Sequence, residues 1–319
     1  NKKFTIIPTY RTDTYFGLPL DKDSEQQRNT LYHLIRKYWA EKTTKKLLKT
    51  HAQKIAFEII SSCGLKIPSG WYIYGGISIA TYDDSAEYIY EDNLPKKVES
   101  CIKEIIEKYA KNDYAWQSKR LQYENAPELY LVKEEILSVF YGPTINTNPK
   151  SSLHIIIKLV RKLFSLAPNN DRKEYVDLLD AFQDLLLDMY NKLNDKILIE
   201  YKRDMIILFE AIWRYIALFN FKHDLLKYYN ENILTIHFIL DIKQQEDEII
   251  ELGMYLQSLI PEDEITNPLK KKLQEALLQI QKVTSKEELQ KQNDELEKIK
   301  KEKGLEAYNK ELFKRAGLE

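Results

Sequence analysis

Lys42, Lys45, Lys46, Lys49 and Lys54 follow Arg36 and Lys37 closely, and Glu41 is the single acid among them. Ammonium groups at that density suit phosphate oxygens, and Gln53 adds an amide able to pair with the edge of an adenine. On one helix Lys42, Lys46, Lys49 and Gln53 would share a face, opposite the apolar Leu48, Ala52, Ile55 and Ile59. A recognition helix needs that division between cations and an apolar back. The candidate nucleic-acid contacts are therefore Lys42, Lys45, Lys46, Lys49, Gln53 and Lys54. The competing reading is a lysine-rich face that merely solvates a surface helix.

Other reactive side chains offer less. His33, His51, His154, His223 and His237 show neither His-x3-His nor His-Glu-x-x-His spacing. His154 and His237 fall in strongly apolar segments and are expected in the core. Gly75-Gly76 lacks the lysine and further glycines of a phosphate loop. Carboxylates abound, mostly on polar faces, and none marks a catalytic pair. Cys63 and Cys101, the two cysteines, suggest no disulfide framework and no zinc site, so both are expected reduced in a cytoplasmic protein. The expectation is a chain without cofactor or metal.

Arg28-Asn29 followed by His33 resembles the Arg-x4-His motif of HEPN-type ribonucleases. That resemblance implies two copies meeting across a dimer, with Arg28 and His33 supporting attack by an RNA 2′-hydroxyl. The motif here lies near the start of the chain, whereas in that family it comes late in a helical bundle.

The elements that would position these groups are mostly helices. Gly and Pro number only 9 and 10 in 319 residues, which favours long helices and few turns. Ser24 to Gln27 reads as a capping box for a helix reaching about Ala40. Thr43 or Thr44 is expected to cap a second helix ending at Cys63, with Gly64 as its stop. Residues 70–82 form the clearest β signal, a hairpin turning at Gly75-Gly76. Two helices and then a hairpin is the order of a winged-helix module. Pro95 and Pro127 open further helices, and helices are expected at roughly 151–166, 171–193, 197–229 and 231–259. Within the most apolar of them, Glu210 and Arg214 are spaced for an ion pair. Its charges argue against a membrane span.

The hairpin residues Pro68, Trp71, Tyr72, Tyr74 and Gly75 resemble a Pro-x-x-Trp-Tyr-x-Tyr/His-Gly signature of a mainly archaeal protein group. The likeness extends over about residues 45–190. It implies a winged-helix-like front followed by a helical domain, and no activity.

The fold class expected is mainly α. A winged-helix-like module occupies 1–92, and a helical bundle 93–262 with a linker candidate at 142–150. A C-terminal helical hairpin or short coiled coil covers 263–319. Lys+Arg and Asp+Glu nearly cancel at 48 and 49, so any nucleic-acid argument rests on local patches. Residues 36–54 are basic, whereas 241–264 carry eight acids against Lys243. Such opposed patches suit a protein touching nucleic acid on one side and a basic protein partner on another, through 241–264 or the C-terminal helices. The leading expectation is a non-enzymatic nucleic-acid-binding or regulatory accessory subunit, with a prokaryotic defence complex as its setting and no membrane. The alternatives are a helical protein-interaction scaffold and a HEPN-like ribonuclease.

Overall fold

Asp21, one turn ahead of Ser24, caps the first helix. The computed structural model describes residues 15–111, 120–166, 173–260, 298 and 301–302. In it α1 runs Lys22–Lys42, and Asp21 Oδ1 accepts from the Ser24 amide at 2.7 Å. Ser24 and Gln27 are used differently from a capping box. Ser24 Oγ donates to Lys66 O at 2.9 Å, and Gln27 Oε1 accepts from the Lys66 amide at 3.2 Å. They tie α1 to the segment that follows α2 (Lys49–Cys63). That helix ends at Gly64, whose φ of 66° is the left-handed stop expected.

The hairpin pairs β1 (Ser69–Tyr72) with β2 (Gly75–Ser78), antiparallel, with Tyr72 opposite Gly75. Its turn is therefore Ile73-Tyr74 and not Gly75-Gly76. The two glycines are needed within the strand. A Cβ on Gly76 would lie 2.0 Å from the Phe57 ring, and one on Gly75 2.2 Å from Gln122 Oε1. Close approach to Phe57 selects glycine at position 76, and the φ of 132° at Gly75, directly after the turn, selects it there.

Helices follow: α3 (Lys96–Ala110), α4 (Glu128–Tyr141), α5 (Thr144–Thr147), α6 (Pro149–Ser165), α7 (Lys173–Lys192), α8 (Asp195–Glu200), α9 (Lys202–Leu225) and α10 (Glu231–Ser258). The described chain is thus mainly helical, with one small antiparallel sheet. Pro95 and Pro127 precede α3 and α4 as the residues just outside the helix. The segment 142–150, expected as a linker, holds α5 and the start of α6, and Ile145 within it is buried. No helix among the described residues is long and apolar enough to cross a membrane.

Packing divides the chain differently from its linear order. One unit comprises described residues 15–111, 120–125 and 220–238, and the other 126–166, 173–219, 239–260, 298 and 301–302. The boundary expected at residue 92 is displaced because α3 belongs to the first core. Val98, Ile102, Ile106 and Tyr109 join Leu31, Ile35, Ile55 and Ile59 in one buried cluster. The expected C-terminal helical hairpin lies outside the described residues apart from 298, 301 and 302, as does the start of the chain before Tyr15.

In the first unit α2 is the hub, packed against α1, α3 and both strands. Phe16 adopts φ 59°, a conformation costly for a bulky residue. Its surroundings hold it there: its ring stacks on Phe238 at 4.3 Å and meets Tyr72 edge-on at 5.7 Å. Its carbonyl accepts from His237 Nδ1 at 2.8 Å. Burial lowers the pKa of His237, in keeping with a neutral ring that donates from Nδ1.

The second unit centres on the first part of α9. Phe209 and Trp213 are buried, with Trp213 edge-on to Tyr130 at 4.9 Å and Phe209 against Phe140 and Phe182. Arg214 does not take Glu210 as its partner. It reaches α10 instead, with 3.0 Å to Gln245 and 2.6 Å to Glu248, while Glu210 accepts from Tyr141 at 3.1 Å. A guanidinium on this helix finds a planar carboxylate across the interface at better geometry than one turn away on its own surface.

Candidate nucleic-acid interface

The turn between α1 and α2 collects the lysines. α1 ends where Thr43 becomes extended, its N–H bonded to Trp39 O at 2.9 Å. Two buried side chains then fix the turn. Trp39 Nε1 donates to Lys45 O at 2.7 Å, and Leu47 packs into the core. Lys42, Lys45, Lys46 and Lys49 are left exposed around it. They do not share a helix face, since Thr43 and Thr44 lie in the turn and the second helix starts only at Lys49.

The start of α2 is chemically open. Leu48 stands at the cap position and offers no side-chain acceptor, and the first turn carries no acid. The first amides of a helix lack helical acceptors and present partial positive charge. Lysines around such an end add full charges to those dipoles, an arrangement that favours a phosphate.

Acids temper this field. Lys42 Nζ lies 3.1 Å from Glu107, and Lys46 Nζ 2.9 Å from Asp84. The hydrogen bond and charge of Lys46 hold the Asp84 carboxyl below its ordinary range, and Asp84 raises Lys46 in return. Hydrogen bonds from Ser85 lower Asp83, and the charges of Lys49 and Arg36 assist. Exposed pairs of this kind contribute little because solvent screens them, so a phosphate can displace them.

Gln53 and Lys54 are taken away from any such surface. Gln53 is buried, with Nε2 donating to Ala80 O at 3.1 Å. Lys54 is buried beside it, with Nζ donating to Gln122 Oε1 at 2.8 Å and to Tyr74 O at 3.3 Å. Residues His51 to Phe57 are buried on every side, so α2 beyond its first turn cannot lie in a groove of nucleic acid. The reason is its hub position, which the amphipathic pattern of its lysines did not disclose. Arg36 is also withdrawn. Its guanidinium donates to Tyr82, Ala86 O and Asp83 O, and lies 4.6 Å over the Tyr88 ring.

Arg28 and His33 each have separate partners. Arg28 bonds Asn29 Oδ1 at 3.0 Å and pairs with Glu25 at 3.5 Å, whereas His33 Nδ1 bonds Tyr88 O at 2.9 Å. Five residues place them about 140° apart around the helix. Among the described residues no three His, Cys, Asp or Glu side chains converge as a metal site. His154, expected in the core, is exposed, and only His237 of that pair is buried.

The acidic stretch 241–264 is not one outward surface. Glu246 is buried, and burial above all raises its pKa to about 7. Glu248 is engaged by Arg214, and Glu262 to Glu264 lie outside the described residues. Sequence reasoning passed over a second cationic surface, on α6, whose signal was the absence of Asp and Glu from Ile136 to Asn170.

The hairpin signature has a packing explanation. Trp71 meets Phe57 and Tyr123 edge-on, Tyr72 packs on Phe16 and Phe221, and Pro68 O accepts from the Ile79 amide at 3.0 Å. No family model matches the chain, and no curated protein or solved structure matches it significantly.

Proposed function

We propose that this chain is a non-enzymatic nucleic-acid-binding accessory protein that grips phosphates on the turn between α1 and α2. The observation that carries the reading is the uncapped, acid-free start of α2 set among Lys42, Lys45, Lys46 and Lys49. The order α1, α2, hairpin is that of a winged-helix module. In this reading, however, α2 engages with its first turn only, so contacts go to the sugar-phosphate backbone and sequence preference is weak.

Each lysine that neutralises a phosphate releases counterions, so log affinity falls linearly with log salt. Binding of labelled single- and double-stranded DNA and RNA across a salt series tests the reading. Replacing Lys45, Lys46 and Lys49 by Ala should weaken binding on all sequences and reduce the salt slope by up to about three units. Wild-type affinity in that triple variant would overturn the proposal.

A protein-interaction scaffold is the second reading. Its support is the exposure of Met254 and Tyr255 on α10 and of Ile199 on α8, all in the second unit. It requires the lysine variant to match wild type in every nucleic-acid assay, with Tyr255→Ala losing a protein partner instead.

A further inference from the structure

α6 is amphipathic in an unusual sense, because the charged residues of its polar half, Lys150, Lys158, Arg161 and Lys162, are all basic. Leu153, Ile156, Ile157, Val160 and Leu163 form the stripe that is buried in the second unit. At 100° per residue Lys150, His154, Lys158, Arg161 and Lys162 fall on the other side. His154, Lys158, Arg161 and Lys162 are exposed, and Lys150 is half-buried over the Tyr190 ring at 5.7 Å. The helix contains no Asp or Glu, in a chain where 49 of 319 residues are acidic.

Two acids of α4 face this charge: Glu128 pairs with Lys162 at 3.0 Å, and the charge of Glu135 also acts on Lys162. Lys150, Lys158 and Arg161 have no acidic partner within ion-pair distance among the described residues. We propose that this face of α6 is a second polyanion site that binds the sugar-phosphate backbone of a nucleic acid.

Length and chemistry choose the ligand. Lys150 to Lys162 spans about 18 Å of helix at about 1.5 Å per residue. At about 3.4 Å of duplex axis per phosphate of one strand, that length covers roughly five base-pair steps. An anionic membrane would need an apolar stripe on the same exposed side to insert between headgroups. The apolar stripe of α6 is committed to the core instead, and Ile155 is the one large aliphatic residue exposed beside the lysines. The surface is therefore built to lie along phosphates and not to enter a bilayer.

The site is independent of the lysine turn, and the experiment separates the two. Binding of a fluorescent single-stranded 20-mer and its duplex is measured over a salt series for the full chain. The variants are K150Q/K158Q/R161Q, K45A/K46A/K49A and their combination. The α6 variant should lose about tenfold or more in affinity at low salt and about 2–3 units of salt slope, in both the wild-type and the turn-variant backgrounds. Ser151→Lys, which adds a cation to the same face, should tighten binding and steepen the slope by about one unit. Lys158 and Arg161 are solvent-facing, so K158Q/R161Q should melt with wild type and show the same direction of loss, whereas K150Q also removes the half-buried contact over the Tyr190 ring. An α6 variant that retains wild-type affinity and slope overturns this proposal while leaving the turn untouched. Loss confined to the turn variant does the same. Binding to anionic phosphatidylserine vesicles with no binding to either oligonucleotide would also overturn it.

Discussion

Lys54 and Gln122 meet inside the first unit, Nζ to Oε1 at 2.8 Å, and Gln122 Nε2 donates onward to Gly76 O at 3.0 Å. With the bond from Lys54 to Tyr74 O, this pair satisfies one backbone carbonyl in the hairpin turn and one in β2 from within the core. A lysine that reads as a phosphate contact in the sequence is a structural clamp.

Lys54→Met should therefore destabilise the protein by about 1–3 kcal/mol, because Gln122 and the Tyr74 carbonyl lose a buried donor. Gln122→Leu should cost less in that background than alone, with a coupling of about 0.5–3 kcal/mol. Urea midpoints of the four proteins measure it, and strict additivity would show that the contact carries no energy.

Gly76→Ala should be costly out of proportion to one methyl. The added Cβ would stand 2.0 Å from the Phe57 ring, and overpacking of this kind costs about 1–3 kcal/mol or more. Phe57→Leu, made in the Gly76→Ala protein, should recover part of the loss in a thermal melt. A turn glycine would show no such rescue.

In the second unit Trp213→Ala should cost about 3–5 kcal/mol as a large buried aromatic. Glu248→Gln should weaken the contact to Arg214 by about 1 kcal/mol or less, since both groups are about a third exposed. Glu210→Gln should leave Arg214 undisturbed. Double-mutant cycles with Arg214→Met distinguish the two carboxylates.

Glu246 makes stability depend on pH. Burial, the largest cause, and then the charge of Asp247 raise its pKa from 4.5 to about 7, against the opposing charge of Lys243. Below about pH 4.5 both folded and unfolded chains hold the proton, and its stabilisation is complete. Between about 4.5 and 7 only the folded chain holds it, so this residue's contribution falls as pH rises and is lost above about 7. Solvent screening keeps the loss below the roughly 3 kcal/mol that the unscreened shift would carry. Glu246→Gln should flatten that part of the profile and should be more stable than wild type at pH 8. An unchanged profile in urea titrations would place the carboxylate in water.

Periodicity and punctuation determined much of the local structure. Apolar spacing, Gly64 and the two prolines located α1, α3, α4 and the end of α2 to within a few residues, because these signals act through the backbone of the segment that contains them, whereas α2 starts about a turn later than a cap at Thr43 or Thr44 would put it. The strands of the hairpin were legible for the same reason, from Trp71, Tyr72 and Ile77. The tertiary structure decided what those segments are used for. Gly75-Gly76 looked like a turn until Phe57 and Gln122 filled the space beside it. Lys54 and Gln53 looked like surface groups until α3 and the hairpin enclosed α2. Arg214 had a partner available at Glu210 and took Glu248 on α10 instead. Burial and pairing depend on elements distant in sequence, and a helix pattern shows which residues share a face without showing how many faces will be covered. The same limit hid α6: its cations became a surface only when its apolar stripe was seen to be consumed by the core.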